Sequence, residues 1–217
     1  VDLTGIEEMK GITVSGDTVS IGGGTTHAAV ERSEDVRRAF PALADLASRI
    51  GDPQVRNRGT IGGSVANNDP AACYPAAVLG TGATVVTNAR EIAADDFFDG
   101  MFTTALEEGE IVTAIRFPVP EKAAYAKFIQ PASRFALTGV FVAKYAGGVR
   151  VAVTGASEGG VFRWSEAERA LASDFAASAV EGLTVPAEGM IGDLHGTPEY
   201  RAHLVKVMTG RAVAAAH

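Results

Sequence analysis

Apolar and polar positions follow two different periods along the chain, and the points where one period gives way to the other mark its elements. Ile12-Thr13-Val14 and Val19-Ser20-Ile21 alternate around Gly16-Asp17, the pattern of a hairpin with a tight turn. Gly22-Gly23-Gly24 breaks the alternation. Thr25 or Thr26 then suits the cap of a short helix reaching about Glu31, and Ser33 with Glu34-Asp35 opens another turn. Pro41 stands at a helix start. Leu43, Leu46, Ala47 and Ile50 recur at spacings of three and four, one apolar face of a helix that Gly51 ends.

Beyond Pro75 the periods resume. The pattern predicts a short helix over Pro75 to Leu79, a strand over Ala83 to Thr87, and a turn at Asn88-Ala89-Arg90. Phe97, Phe98 and Phe102 read as core aromatics, and Ile111 to Phe117 as a strand closed by Pro118 and Pro120. A domain boundary is expected near 120–124. The second part predicts strands at 125–128, 137–145 and 149–154, with Gly147-Gly148 as a tight turn, and a further strand at 161–164. Ser165 and Glu168 have the spacing of a capping box for a helix over 166–172. Another helix is expected at 174–181. A last one starts at Thr197-Pro198-Glu199, with Tyr200, Leu204, Val207, Met208 and Arg211 on one side. This part reads as a three-stranded antiparallel sheet with helices on one face, and nothing in it suggests chemistry.

Between these regions Gly51 to Pro75 keeps neither period. At its centre Thr60-Ile61-Gly62-Gly63-Ser64 places two glycines where backbone N–H groups can converge on an anion, phosphate above all. The hydroxyls of Thr60 and Ser64 add donors, and Arg56 and Arg58 add charge. Asn67, Asn68 and Asp69-Pro70 follow as turn formers. Taken alone, T-I-G-G also suits a solvated turn. Because the stretch follows a helix, not a strand, it departs from the Rossmann arrangement.

Composition narrows the alternatives. The chain has 217 residues, 47% hydrophobic and 21% charged, as expected for one or two globular domains, with cytoplasm the default compartment. A net charge of −7 without a basic run argues against nucleic acid or an anionic membrane as the main partner. No apolar run approaches the roughly 18 residues of a membrane span. One cysteine, Cys73, excludes an internal disulfide and a cysteine-rich iron–sulfur or zinc site. The four histidines lack ligand spacing and read as surface or packing residues, with no metal site. The sequence begins at Val1, without methionine.

The run D-P-Q-V-R-N-R-G-T-I-G-G over Asp52 to Gly63 resembles the second flavin-binding loop of the FAD-binding medium subunit of molybdenum hydroxylases. That family includes aerobic carbon monoxide dehydrogenase, and xanthine dehydrogenase carries the same module. The resemblance covers almost the whole chain. It implies an α+β fold: the second subdomain of a two-subdomain (PCMH-type) FAD-binding fold in 1–122, then a small α+β domain in 123–217. The family's first FAD loop would precede Val1. The resemblance also implies FAD as cofactor, its pyrophosphate held at Thr60, Ile61, Gly62, Gly63 and Ser64, with Ile50 and Val112 as aliphatic walls near the flavin ring. The family commonly has an aspartate where Cys73 stands, so Asn68 or Asp69 is expected to take over that contact. The family is often basic near the flavin's pyrimidine edge; here Ile129-Gln130-Pro131 leaves Lys127 as a nearby cation and Gln130 as a neutral donor.

The function so implied is electron transfer, from an iron–sulfur small subunit to FAD here and on to an external acceptor, beside a molybdenum-cofactor large subunit, in a dimer of heterotrimers. No side chain need act as acid or base. Two alternatives stay open: a truncated, flavin-free interaction subunit of the same complex, and a stand-alone flavin oxidase of the vanillyl-alcohol type, for which the second domain looks too small.

Overall fold

The computed structural model describes residues 3–217. The expected hairpin is present: β1 (Ile12–Ser15) pairs with β2 (Thr18–Gly22) across Gly16-Asp17, where Gly16 has φ +55°. Three short helices follow, α1 (His27–Arg32), α2 (Glu34–Ala39) and α3 (Pro41–Ser48). The Thr26 and Ser33 hydroxyls cap the first two by accepting from Ala29 and Val36 N–H. The stretch expected as loop is largely helical. Asp52 caps α4 (Pro53–Arg58), Thr60 caps α5 (Ile61–Asn67), and α6 (Tyr74–Thr81) follows, buried along its whole length. Then come β3 (Thr84–Thr87), β4 (Glu91–Ala93), α7 (Ala94–Phe97) and β5 (Val112–Pro118). All strand pairs are antiparallel in the order β1-β2-β5-β3-β4, so Ile21, Ile115 and Val85 fall in one row across the sheet. All three are wholly buried against the helices.

The second sheet runs β6 (Lys122–Ile129), β7 (Ala136–Tyr145), β8 (Gly148–Thr154), with α8 (Ser165–Ser173) and α9 (Pro198–Ala215) beyond it. It has four strands, not three, because the two-residue β9 (Phe162–Arg163) joins β8. Both of its faces are covered, also unlike the expectation. Ala123, Tyr125, Phe141, Ala143 and Ala152 point into the first core, while Val140, Val142, Val151 and Val153 point at Trp164, Leu171, Val205 and Met208. Residues separated by two share a face, so one sheet serves both hydrophobic cores. Phe40 packs edge-on to Phe117 and Phe141, at 6.3 and 6.0 Å between ring centres, where the two meet. Polar latches cross the same boundary. The Tyr145 hydroxyl reaches the carbonyls of Thr81 and Pro118 at 3.1 Å, and the Thr154 hydroxyl reaches those of Pro70 and Ala72 at 2.8 and 2.7 Å.

Four local expectations are corrected. Glu168 closes no capping box with Ser165; its carboxylate accepts from Val151 N–H and pairs with Arg163. The segment 174–181 holds only a 3-10 turn over Ala177–Val180. The buried face of α9 is Ala202, Leu204, Val205, Met208, Thr209, Ala212 and Val213 with Arg201, and Val207 is half-buried against the same core, so Tyr200 and Arg211 do not belong to it. Phe102 is not core: it is 61% exposed at φ +56°.

Candidate functional site

The segment Thr60 to Ser64 is an N-cap followed by the first turn of α5. Neither glycine has positive φ, so the converging loop amides foreseen from T-I-G-G are not formed. The Ile61 N–H donates to Thr25 carbonyl oxygen, Gly62 N–H to Gly23 carbonyl oxygen, and Gly63 N–H to the Thr60 hydroxyl at 3.2 Å. Gly62 is glycine for a different reason. A Cβ there would lie 2.7 Å from the Gly23 oxygen and 2.8 Å from its Cα, so only glycine allows α5 so close to the Gly22–Thr26 turn. At Gly63, which is exposed, a Cβ would meet only the Thr60 hydroxyl.

Thr26 and Thr60 stand opposite one another in an antiparallel bridge, so α1 and α5 start side by side, each capped by a threonine. The backbone N–H groups of Thr26 and Thr60 and the Ser64 hydroxyl have no partner among the described residues. Arg58, exposed, makes no ion pair there either. Two helix starts, free donors and an unpaired cation form a donor set suited to a diphosphate. The other arginine is not free. Arg56 Nε meets Glu31 at 2.8 Å, and its guanidinium also donates to the carbonyls of Ile50 and Gly51, tying the end of α3 to α1. His27 lies beneath this surface, 5.3 Å from the Tyr74 ring, with its Nδ1 unpartnered. Burial, and next the Arg56 charge, lower its pKa to about 4.

A second group of expected site residues gathers where α3, α6 and β6 meet. Cys73, buried, precedes α6, and Lys127 projects from β6 on the face that Tyr125 shares. The Lys127 ammonium donates to the Arg49 carbonyl at 2.9 Å and approaches Cys73 Sγ at 3.5 Å. Ile50, next to Arg49, is half-buried at the edge of this group. Val112 is 5% exposed and faces the first core, its strand bonded to the Gly22–Thr26 turn through Gly23 N–H and the Thr113 carbonyl.

Asn68 sits in the left-handed region at φ +44° and ends α5. Its side-chain amide donates to the carbonyls of Gly100 and Thr103 at 2.7 and 2.8 Å, and its backbone carbonyl accepts from Phe102 N–H, so it clamps the 100–103 loop. Asp69 takes Ala71 N–H on Oδ1 at 2.8 Å, the Asx turn implied by Asp-Pro. Gln130 stands apart: its Oε1 accepts from Ala132 and Ser133, closing the β6–β7 turn. Sequence reasoning missed Arg201, buried in α9, which donates to the carbonyls of Leu137 and Gly155 at 2.7 and 2.6 Å and to Asp193 at 2.7 Å. It also missed a cavity of about 440 Å³ between the Asn68–Cys73 segment and the second domain, lined by Pro70, Ala71, Met101 and Phe135 among others. A period count cannot distinguish a buried arginine from an exposed one, and the cavity unites distant segments.

A pair of threonine-capped helix starts with free donors, on an antiparallel α+β fold, suits a cofactor that carries a diphosphate. The comparisons with known proteins give the family. Residues 1–120 match the family described as the FAD binding domain in molybdopterin dehydrogenase. The chain is 37% identical over 232 residues to the carbon monoxide dehydrogenase medium chain of Afipia carboxidovorans, covering 98% of this chain and 79% of that one. Its structure resembles the carbon monoxide dehydrogenase of Hydrogenophaga pseudoflava, with TM-score 0.82 and 33% identity over 97% of this chain and 78% of the other. It also resembles quinoline 2-oxidoreductase from Pseudomonas putida 86, with TM-score 0.84 and 28% identity over 98% and 79%. The chain belongs to the FAD-binding subunits of the molybdenum hydroxylase family, an oxidoreductase subunit with FAD as its cofactor; molybdenum and iron–sulfur cofactors belong to other subunits.

Proposed function

We propose that this chain transfers electrons within a molybdenum-containing hydroxylase or dehydrogenase, taking them from an iron–sulfur subunit and passing them through FAD to an external acceptor. The single observation that carries the reading is the Thr26–Thr60 bridge, which sets two threonine-capped helix starts together with unpartnered N–H groups. When bound, FAD supplies the electron-carrying chemistry, and the protein's residues bind and orient it. Thr60 and Ser64, with Arg58 nearby, would hold the pyrophosphate, and Gly63, whose N–H caps onto Thr60, would let it approach the backbone. Ile50 would offer an aliphatic edge to the ring, and Lys127, held by Arg49, would place a fixed positive charge behind it. Ile61 and Gly62 act indirectly, since their N–H groups are spent on the Gly23 and Thr25 carbonyls that set the bridge. The Asn68 amide nitrogen is committed to the 100–103 loop and its Oδ1 is buried, so of the two residues expected to compensate for Cys73, Asp69 is the more accessible. Val112 and Gln130 would support the ring pocket from behind, one through the core and one by fixing the β6–β7 turn.

The partners in this reading are a molybdenum-cofactor large subunit and an iron–sulfur small subunit, in a cytoplasmic dimer of heterotrimers. Among the described residues no helix is long and apolar enough to cross a membrane. FAD titration of the purified subunit, followed by flavin fluorescence, tests the reading. A charge-assisted hydrogen bond contributes about 1.5–3 kcal/mol, so Ser64→Ala should weaken binding roughly tenfold or more. Gly63→Asp, which sets a carboxylate in the diphosphate position, should weaken it further. Affinity unchanged in both variants would overturn the assignment.

A further inference from the structure

Cys73 and Lys127 are separated by 54 positions in sequence and by 3.5 Å between Sγ and Nζ. Both are buried, at 4% and 9% exposure. No carboxylate pairs with the ammonium among the described residues; its other partner is the Arg49 carbonyl at 2.9 Å. The Tyr125 hydroxyl, on the same sheet face, is fully buried and has Cys73 as its polar neighbour. A thiol therefore sits beside an amine aimed at it and a buried hydroxyl, in a site that a lysine ordinarily enters only with an anion. The thiolate is the form of a cysteine that reacts with peroxides.

We propose that Cys73 and Lys127 form a peroxide-driven, thiol-reversible covalent bridge, a sulfenamide joining Sγ to Nζ. The thiolate sulfur attacks one oxygen of hydrogen peroxide; an S–O bond forms, the O–O bond breaks, and hydroxide leaves. Hydroxide takes a proton from the Lys127 ammonium and departs as water. The neutral amine then attacks the sulfenic sulfur; an S–N bond forms, the S–O bond breaks, and the leaving hydroxide takes the second amine proton as water. Sulfur is oxidised by two electrons and one peroxide is reduced to two waters, a variant of the sulfenic acid's condensation with nitrogen. The Tyr125 hydroxyl is placed to donate to the sulfenic oxygen as it leaves. The bridge would staple the start of α6 to β6, across the boundary between the domains, and would remove the Lys127 charge. It does not depend on flavin binding.

The test treats the purified protein with graded hydrogen peroxide, blocks remaining thiols, and maps tryptic peptides by mass spectrometry. The expected product joins Gly59–Arg90 to Ala123–Arg134, uncut at Lys127, at a mass about 2 Da below the sum of the two peptides because two hydrogens are lost. Dithiothreitol should restore both peptides, and Lys127→Arg, which keeps the charge without a primary amine, should abolish the product. Recovery of Cys73 only as sulfinic or sulfonic acid, or as a disulfide between two molecules, with cleavage at Lys127 undiminished, would overturn the proposal. A joined product about 14 Da heavier than the sum would retain an oxygen between sulfur and nitrogen, and would overturn the direct S–N bond.

Discussion

The amide nitrogen of Gly62 lies 2.9 Å from the carbonyl oxygen of Gly23, and this hydrogen bond joins the start of α5 to the turn that leads into α1. Both partners are backbone, so neither can rotate away from an added side chain. Gly62→Ala would place its methyl 2.7 Å from that oxygen. The expected cost is about 2–3 kcal/mol of stability, against less than about 1 kcal/mol for Gly63→Ala, where only the Thr60 hydroxyl is near. Urea unfolding of the two variants side by side checks the contrast.

His27 predicts a pH dependence. Burial is the main cause of its lowered pKa, about 4 in the folded chain against 6.5 for the ordinary value. Between these values the unfolded chain binds a proton that the folded chain refuses, so stability falls as pH falls from about 6.5 to 4. At most about 3 kcal/mol is lost across that window, and nothing changes above it. His27→Gln cannot titrate, so its unfolding free energy should fall less over the same range. Equal slopes for the two proteins would contradict the burial argument.

Arg201 is 2% exposed and holds two backbone carbonyls and the Asp193 carboxylate. Arg201→Met would leave all three without that donor, at an expected cost of about 3–5 kcal/mol. Arg201→Lys should recover only part of this, because one ammonium lacks the fork that spans the carbonyls and Asp193. Denaturant midpoints for both variants measure the difference.

Asn68 combines a left-handed backbone with two side-chain hydrogen bonds to the 100–103 loop. Asn68→Gly keeps the backbone and loses the clamp; Asn68→Ala loses both. The alanine variant should be less stable than the glycine variant by about 1 kcal/mol, and both should be cut faster by protease near Met101 and Phe102. A loop no more sensitive in either variant would show that the clamp is not what holds it.

Much of the fold was legible in local signals. The Gly16-Asp17 hairpin, the threonine and serine caps of α1 and α2, Pro41 at the start of α3 and Thr197 at the start of α9 all appear as read. Each depends on residues within a few positions of one another, which chain order alone brings together. The D-P-Q-V-R-N-R-G-T-I-G-G run likewise pointed to the family that the comparisons establish.

Facing was read correctly for α3, whose Leu43, Leu46 and Ala47 are buried, but not at the T-I-G-G run or along α9. T-I-G-G looked like a loop of converging amides, yet α5 forms because Gly62 can touch Gly23, a contact between positions 39 residues apart in sequence. The apolar side of α9 was displaced because Arg201 turns inward to carbonyls of the second sheet. The sequence by itself determined most of the strands, several helix starts and the run that carries the family resemblance, because periodicity, turns and capping are short-range effects. Only tertiary structure decided which donors remain free at Thr26, Thr60 and Ser64, which arginine is spent, and that Cys73 meets Lys127. Those outcomes depend on which distant atoms arrive within hydrogen-bonding range once both cores have packed against a single shared sheet.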